Sequence, residues 1–109
     1  MHVFLVQLDI QWHDAEANFA RVRSLLDRES VPPGSLLILP ELFSVGFTMN
    51  VDIATEGEPS RSRAFLAELA ITRQSYVAGG LATREEGTGK GFNTQIVLGP
   101  DGDELASYR

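Results

Sequence analysis

Residues 36–41 read Leu36-Leu37-Ile38-Leu39-Pro40-Glu41, and the fold prediction starts from this stretch. A short apolar run bounded by turn-forming residues is typical of a buried β-strand. We predict that strand over residues 35–39, and Pro40 ends it because proline has no backbone N–H to donate. An acid follows at once, and ligand sites in open α/β sheets form beyond the carboxyl ends of strands. Glu41 is therefore the first candidate site residue.

The sequence before this stretch predicts a strand and a helix. Residues 2–9 are short, apolar and rich in β-formers, which indicates a buried strand. Asp14 suits the N-cap of a helix that we predict to about residue 29. Prolines and a glycine within residues 31–34 then end the helix and turn the chain. The apolar residues of the helix share one face: Phe19, Val22, Leu25 and Leu26.

The sequence after Glu41 predicts a loop and a second helix. Residues 41–57 show little periodicity, and a loop of this length in a compact domain is often functional. Pro59 suits the first turn of a helix. An apolar stripe at helical spacing follows over residues 64–73.

Three more strands follow, over residues 75–83, 92–98 and 104–109. Gly79 and Gly80, inside the first of them, allow another backbone to approach closely. The order is strand, helix, strand, helix and then a β-meander, which predicts an α/β fold. The chain stops inside the last predicted strand, so we expect it to be part of a longer protein.

The composition describes one small domain with an acidic surface. The chain has 109 residues, 43% of them hydrophobic, and a net charge of −6 from 15 acidic and 9 basic residues. Nucleic-acid phosphates need a basic stripe, so this balance argues against nucleic acid, and it also disfavours an anionic membrane. The absence of cysteine excludes a disulfide framework and a thiol nucleophile within these residues. No signal peptide is recognisable, which favours the cytoplasm.

Residue types alone leave the role of Glu41 open. Bordered by Leu42 and Phe43, its carboxylate would be partly removed from water, which suits a general base. A helix-capping or solvated loop glutamate is an equally good interpretation. Other signals are weaker: residues 87–91 lack the spacing of a phosphate loop and are predicted as a hairpin tip, and His2 and His13 have no second ligand at metal spacing.

Five segments, in order, resemble the nitrilase superfamily of carbon–nitrogen hydrolases, and especially its omega-amidase-like branch. LPELFSVGFTMN at residues 39–50 resembles the family's first catalytic segment, and VFLVQLDIQW at residues 3–12 resembles its first strand. Asp14 and Asn18 match a helix pattern of the family. FNT at residues 92–94 and the hairpin over residues 99–109 resemble the strands that lead to its second catalytic segment.

The resemblance implies a four-layer α-β-β-α sandwich, of which residues 1–109 form the N-terminal portion of a single domain. It implies a Glu-Lys-Cys triad in which Glu41 is the general base. The lysine would follow Tyr108-Arg109 directly, and the cysteine would lie further on, so the 109-residue chain is expected to be inactive. The implied reaction releases ammonia from the amide of a small ω-amido acid without a metal or organic cofactor, in a homo-oligomeric enzyme.

Three aromatic or amide side chains receive secondary predictions. Phe47 is a candidate substrate-binding wall, with an ordinary core phenylalanine as the alternative, whereas Phe43 is predicted in the core. Asn93 is predicted to be structural near the site, where it would satisfy buried backbone groups. Trp12 is predicted to pack against the first helix. Two other functions remain open: a non-catalytic binding or assembly domain on the same scaffold, and an unrelated α/β binding domain.

Overall fold

A computed structural model describes residues 1–56 and 60–109 and contains one five-stranded sheet in the order β1-β2-β3-β4-β5. The first three strands are parallel, and the last two pairs are antiparallel. This is the βαβ, helix and meander order that the sequence predicts, so the α/β prediction is confirmed. The strands are β1 (Val3–Leu5), β2 (Leu36–Ile38), β3 (Tyr76–Arg84), β4 (Gly91–Leu98) and β5 (Glu104–Tyr108).

The first helix, α1 (Ala15–Asp27), begins at the predicted N-cap. The Asp14 carboxylate accepts a hydrogen bond from the backbone N–H of Ala17 at 3.1 Å, which satisfies one of the free N–H groups of the first turn. The helix ends two residues earlier than predicted. Gly34, with a φ of +81°, then turns the chain into β2.

A short helix, α2 (Val51–Ala54), lies in the segment that we predicted as a loop. The prediction is wrong here because a single turn is too short to produce a periodic pattern. The last helix, α3 (Arg61–Arg73), starts three residues before the predicted stripe, and the Ser60 hydroxyl caps it by accepting from Arg63 N–H at 3.2 Å. The predicted roles of Gly57 and Pro59 lie outside the described residues.

Helices α1 and α3 cover one face of the sheet. The rings of Phe19 and Phe65 stack with their centroids 4.4 Å apart, which joins the two helices above the sheet. Phe43 is fully buried against them, as predicted. Paired positions on four strands form a row beneath this layer: Phe4, Leu37, Val77 and Leu98.

The other face of the sheet is also apolar, but α1 and α3 do not cover it. Val3 and Leu5 are 55% and 76% exposed, so our prediction that the first strand is buried is wrong for these positions. β1 lies at a sheet edge, and its alternate side chains face away from the helices. A second row of paired residues crosses this face: Leu5, Ile38, Ala78, Val97 and Ala106. No helix in the described part of the chain is long and apolar enough to cross a membrane.

Candidate active site

Glu41 follows β2 at its carboxyl end, where the chain leaves the sheet. The backbone N–H of Leu39 still bonds to Ala78 at 2.8 Å, which keeps the chain against β3 up to Pro40. Beyond it, the Phe43 N–H donates to the Gly80 carbonyl at 3.4 Å. Glu41 is therefore held between two backbone contacts to the same neighbouring strand.

Two adjacent glycines of β3 let the chain pack closely on both faces of the sheet. A Cβ at Gly79 would lie 3.1 Å from a methyl of Leu66 on α3. A Cβ at Gly80 would lie 2.8 Å from the Cα of Glu41, a distance that such atoms do not tolerate. The predicted close approach is therefore confirmed, and Gly80 is what allows Glu41 to lie over β3.

The Glu41 carboxylate contacts the side chain of Asn93. The Asn93 amide N–H donates to Oε1 of Glu41. Asn93 stands on β4 directly opposite Ala82 of β3. Its contact with Glu41 therefore joins the loop after β2 to β4, which lies two strands away in the sheet. We predicted that Asn93 satisfies buried backbone groups, whereas its amide binds a carboxylate at an exposed position.

The expected removal of Glu41 from water does not occur in this structure. Leu42 and Phe43 are both buried, but of the two only Phe43 belongs to the core cluster, and Glu41 itself stays exposed. Leu42 adopts a φ of +49°, a left-handed conformation that is rare for a branched residue. This turn sends the apolar side chains inward and leaves the acid outside.

A cavity of about 320 Å³ lies beside the Glu41–Asn93 contact. Asn93 and Ala82 form its floor, and α2 forms one wall through Val51 and Ala54. Gly91 makes this arrangement possible, because a Cβ there would lie 2.7 Å from a methyl of Val51. The rest of the lining is largely apolar and comes from the following residues: Leu42, Thr48, Met49, Thr55 and Phe92.

Arg84 ties α2 to the β3–β4 hairpin. Its guanidinium donates to Asp52 at 2.8 Å, to Thr55 at 2.9 Å and to the Gly89 carbonyl at 3.1 Å. Residues 85–90 form the tip of this hairpin, as the sequence predicts, and Glu85 N–H donates to the Lys90 carbonyl at 2.8 Å across it. Sequence reasoning did not find this role of Arg84, because its partners are scattered along the chain.

Asn18 connects α1 to the loop after β2. It is fully buried, and its amide donates to the Ser44 carbonyl at 2.7 Å and to the Gln11 carbonyl at 2.8 Å. Its side-chain oxygen accepts from Gln11 N–H at 2.8 Å. The sequence does signal a link between α1 and a loop, because an asparagine stands within the buried stripe of the helix. Buried polar groups need hydrogen-bond partners.

Two exposed aromatic residues, Phe47 and Trp12, lie in the loops around the site. Phe47 is 60% exposed in this structure, and it is not among the described residues that line the cavity. Trp12 lies over Gly46, where a Cβ would come within 3.2 Å of the indole. The packing of Trp12 against the first helix stays a prediction, and the described contacts of its indole are with Gly46 and His13. Among the described residues, no group of three or more acidic, histidine or cysteine side chains could hold a metal ion.

A family model accounts for nearly the whole chain. The model of the carbon-nitrogen hydrolase family matches residues 3–109. This chain belongs to the carbon–nitrogen hydrolase family. The resemblance inferred from the five segments is confirmed, and the alternative of an unrelated α/β binding domain is wrong.

Similar members of the carbon–nitrogen hydrolase family include an omega-amidase of Pongo abelii, which is 34% identical over 106 residues. The alignment covers 96% of this chain and 38% of that protein. A superfamily protein of Xanthomonas campestris, solved with an arsenic adduct in its active site, has a TM-score of 0.83 at 28% identity. That match covers 99% of this chain and 40% of the other.

An N-terminal amidase solved with an Asn-Glu-Ala peptide has a TM-score of 0.84 over 98% of this chain and 27% of its own. Its 19% identity makes this a likeness of fold alone. The chain therefore spans about two-fifths of the length of the omega-amidase and the Xanthomonas protein.

Proposed function

We propose that the complete protein hydrolyses the amide of a small ω-amido acid and releases ammonia, with Glu41 as general base. Residues 1–109 would be the N-terminal portion of a single hydrolase domain. The observation that carries the proposal is the position of Glu41, at the carboxyl end of β2 and beside a cavity, in a chain of this family. The similarity to an omega-amidase supports the substrate class.

In the proposed reaction, Glu41 takes the proton of a cysteine thiol that lies beyond residue 109. The thiolate attacks the amide carbon, and a lysine stabilises the oxyanion of the tetrahedral intermediate. Glu41 then gives its proton to the leaving nitrogen, and ammonia departs as the thioester forms. Water, activated by Glu41, hydrolyses the thioester and regenerates the thiol. The exposure of Glu41 in this structure suits a base whose partners come from outside these residues.

The register of the last two strands supports the proposed place of the lysine. β4 and β5 pair Gln95 with Tyr108 and Ile96 with Ser107. Continued by two steps, this register sets the position after Arg109 opposite Asn93. Side chains directly opposite in an antiparallel pair have Cβ atoms about 4.5–5.5 Å apart. A lysine there would reach the Asn93–Glu41 contact.

The cavity supports a small substrate with an aliphatic chain. Its volume of about 320 Å³ is at the small end of ligand sites. Its apolar wall would contact the methylene groups between the amide and the acid. Phe47, exposed at the end of the catalytic loop, is the proposed outer wall for the substrate. We also propose a homo-oligomer in the cytoplasm that works without a metal or organic cofactor.

The test is ammonia release by the complete protein with ω-amido acids, compared between the wild type and Glu41→Gln. We expect Glu41→Gln to lower kcat by about 10²–10⁴-fold, because general-base catalysis contributes that much. Glu68→Gln, on the exposed side of α3, is the matched control and should keep wild-type turnover. The 109-residue chain, which contains no cysteine, should release no ammonia.

A non-catalytic binding or assembly domain is the competing function. It predicts no turnover by the wild type, or equal turnover by Glu41→Gln. The residues after Arg109 offer a second discriminator, since a domain of that kind needs neither a lysine at the next position nor a later cysteine.

A further inference from the structure

We infer that Asn93 is the positioning residue of Glu41, which holds one carboxylate oxygen and leaves the other free to take the proton. The inference rests on the proposed function. It starts from a contact that joins two segments 52 residues apart, the loop after β2 and strand β4. No other side chain in the described parts of the chain hydrogen bonds to this carboxylate.

The sheet fixes the side on which Asn93 projects. Its neighbour Thr94 is buried on the opposite face, where the hydroxyls of Thr94 and Thr83 hydrogen bond at 2.7 Å. Successive side chains of a strand point to opposite faces, so this bond turns Asn93 toward Glu41. Cross-strand pairing of Asn93 with Ala82 sets its position along the strand. The small Ala82 side chain leaves the space between Asn93 and the cavity open.

The chemistry of an amide suits a base that must accept a proton and later return it. An amide N–H only donates, and it needs an acceptor oxygen. Oε1 remains an acceptor whether or not Oε2 carries a proton, so the Asn93 contact survives both states of the catalytic cycle. A neutral donor also adds no net charge beside the carboxylate, unlike arginine or lysine. Asn93 therefore fixes the direction of Oε2 without holding Glu41 permanently ionised.

The first test is Asn93→Ala in the complete protein. Loss of the anchor lets the carboxylate rotate, and misplacement of a reacting group by about 1 Å costs up to about 100-fold in rate. We expect kcat to fall about 10- to 100-fold, KM to change little and the thermal midpoint to stay close to that of the wild type. Thr88→Ala is the matched control, because it removes another exposed donor to a carboxylate on the same hairpin and should keep wild-type kcat.

The second test is Asn93→Asp, which keeps the size of the side chain and replaces the donor with a carboxylate. Two adjacent carboxylates disfavour ionisation of both, so a higher pH is needed before Glu41 can act as a base. The acidic limb of the kcat/KM profile should move upward by about 1 pH unit or more. A residue that only supports the fold would leave this limb in place.

The outcomes separate the two proposals. If Glu41→Gln is inactive while both Asn93 variants keep the wild-type kcat and pH profile, the positioning role is wrong and the proposed function stands. If the wild type lacks amidase activity, the proposed function is wrong. If Asn93→Ala fails to fold, Asn93→Asp still decides through its pH profile.

Discussion

Gly80 is the position least able to accept a side chain, because Glu41 lies where its Cβ would be. Strand β3 itself would leave room for an alanine at position 80. The obstacle is the loop after Pro40, which stays close to the sheet. The Cα of Glu41 occupies the space that a Cβ would need. The role of this glycine thus comes from close packing between two segments and not from an unusual backbone angle.

Gly80→Ala should move Glu41 away from β3 and lower both stability and turnover. Overpacking of this kind typically costs about 1–3 kcal/mol in the free energy of unfolding. We expect a loss in this range by urea unfolding of the complete protein, with a larger relative fall in kcat than in the folded fraction. Gly99→Ala is the control, because its nearest neighbour is the flexible carboxylate of Asp101. Equal effects of the two variants would contradict the role given to Gly80.

Among the elements, α1 is tied to the loop after β2 by the buried amide of Asn18. Asn18 occupies a position within the buried stripe of α1, and all of its side-chain hydrogen bonds go to loop backbone. The helix therefore holds the segments 9–14 and 41–46 in a fixed relation. Strand β2 is only three residues long, so this link adds support to the loop that carries Glu41.

Asn18→Ala should be strongly destabilising, because it leaves the buried Ser44 carbonyl without its donor. Each buried polar group without a partner costs about 1–3 kcal/mol, so we expect a total loss of about 3 kcal/mol. Chemical denaturation of the complete protein measures it. Ser24→Ala, on the exposed side of the same helix, should change stability by less than about 0.5 kcal/mol. A loss of that small size for Asn18→Ala would show that the loops hold without the amide.

Long apolar patterns and turn residues were enough to predict most elements. The N-cap at Asp14, the boundary of β2 at Pro40 and the strand order all follow from local signals. Helix α2 could not be predicted, because four residues give no periodicity and its anchor, Arg84, lies 30 residues further along the chain. The same limit applies to the Glu41–Asn93 contact, which depends on how two distant segments meet. The exposure of Glu41 was mispredicted, because the left-handed turn at Leu42 is not visible in the sequence.

At the scale of the whole molecule, the sheet is apolar on both faces, and α1 and α3 cover only one. The second row, from Leu5 to Ala106, is apolar in every strand. An antiparallel meander that faces water normally alternates with polar residues on that side. The four-layer sandwich implied by the family resemblance would place a second sheet here.

Leu5→Asn distinguishes a covered face from an open one. In the 109-residue chain, where Leu5 is 76% exposed, we expect the substitution to change the unfolding free energy by less than about 0.5 kcal/mol. In the complete protein, burial of an amide in place of leucine should cost about 2 kcal/mol or more. Denaturant titration of both proteins gives the comparison. Equal, small effects in the two would argue against a second layer over this strand.

The β-bulge between β4 and β5 limits which insertions and deletions this hairpin can tolerate. Val97 pairs with Ala106, whereas Leu98 pairs with Glu104, so Leu105 is one extra residue on β5. If all these residues paired without the bulge, Arg109 would stand opposite Asn93, and the position after it would point to the helical face. The bulge thus decides which face of the sheet each later side chain points to. Single substitutions on β5 leave this pairing in place, whereas the insertion or deletion of one residue between the bulge and residue 109 would move every later side chain to the opposite face of the sheet.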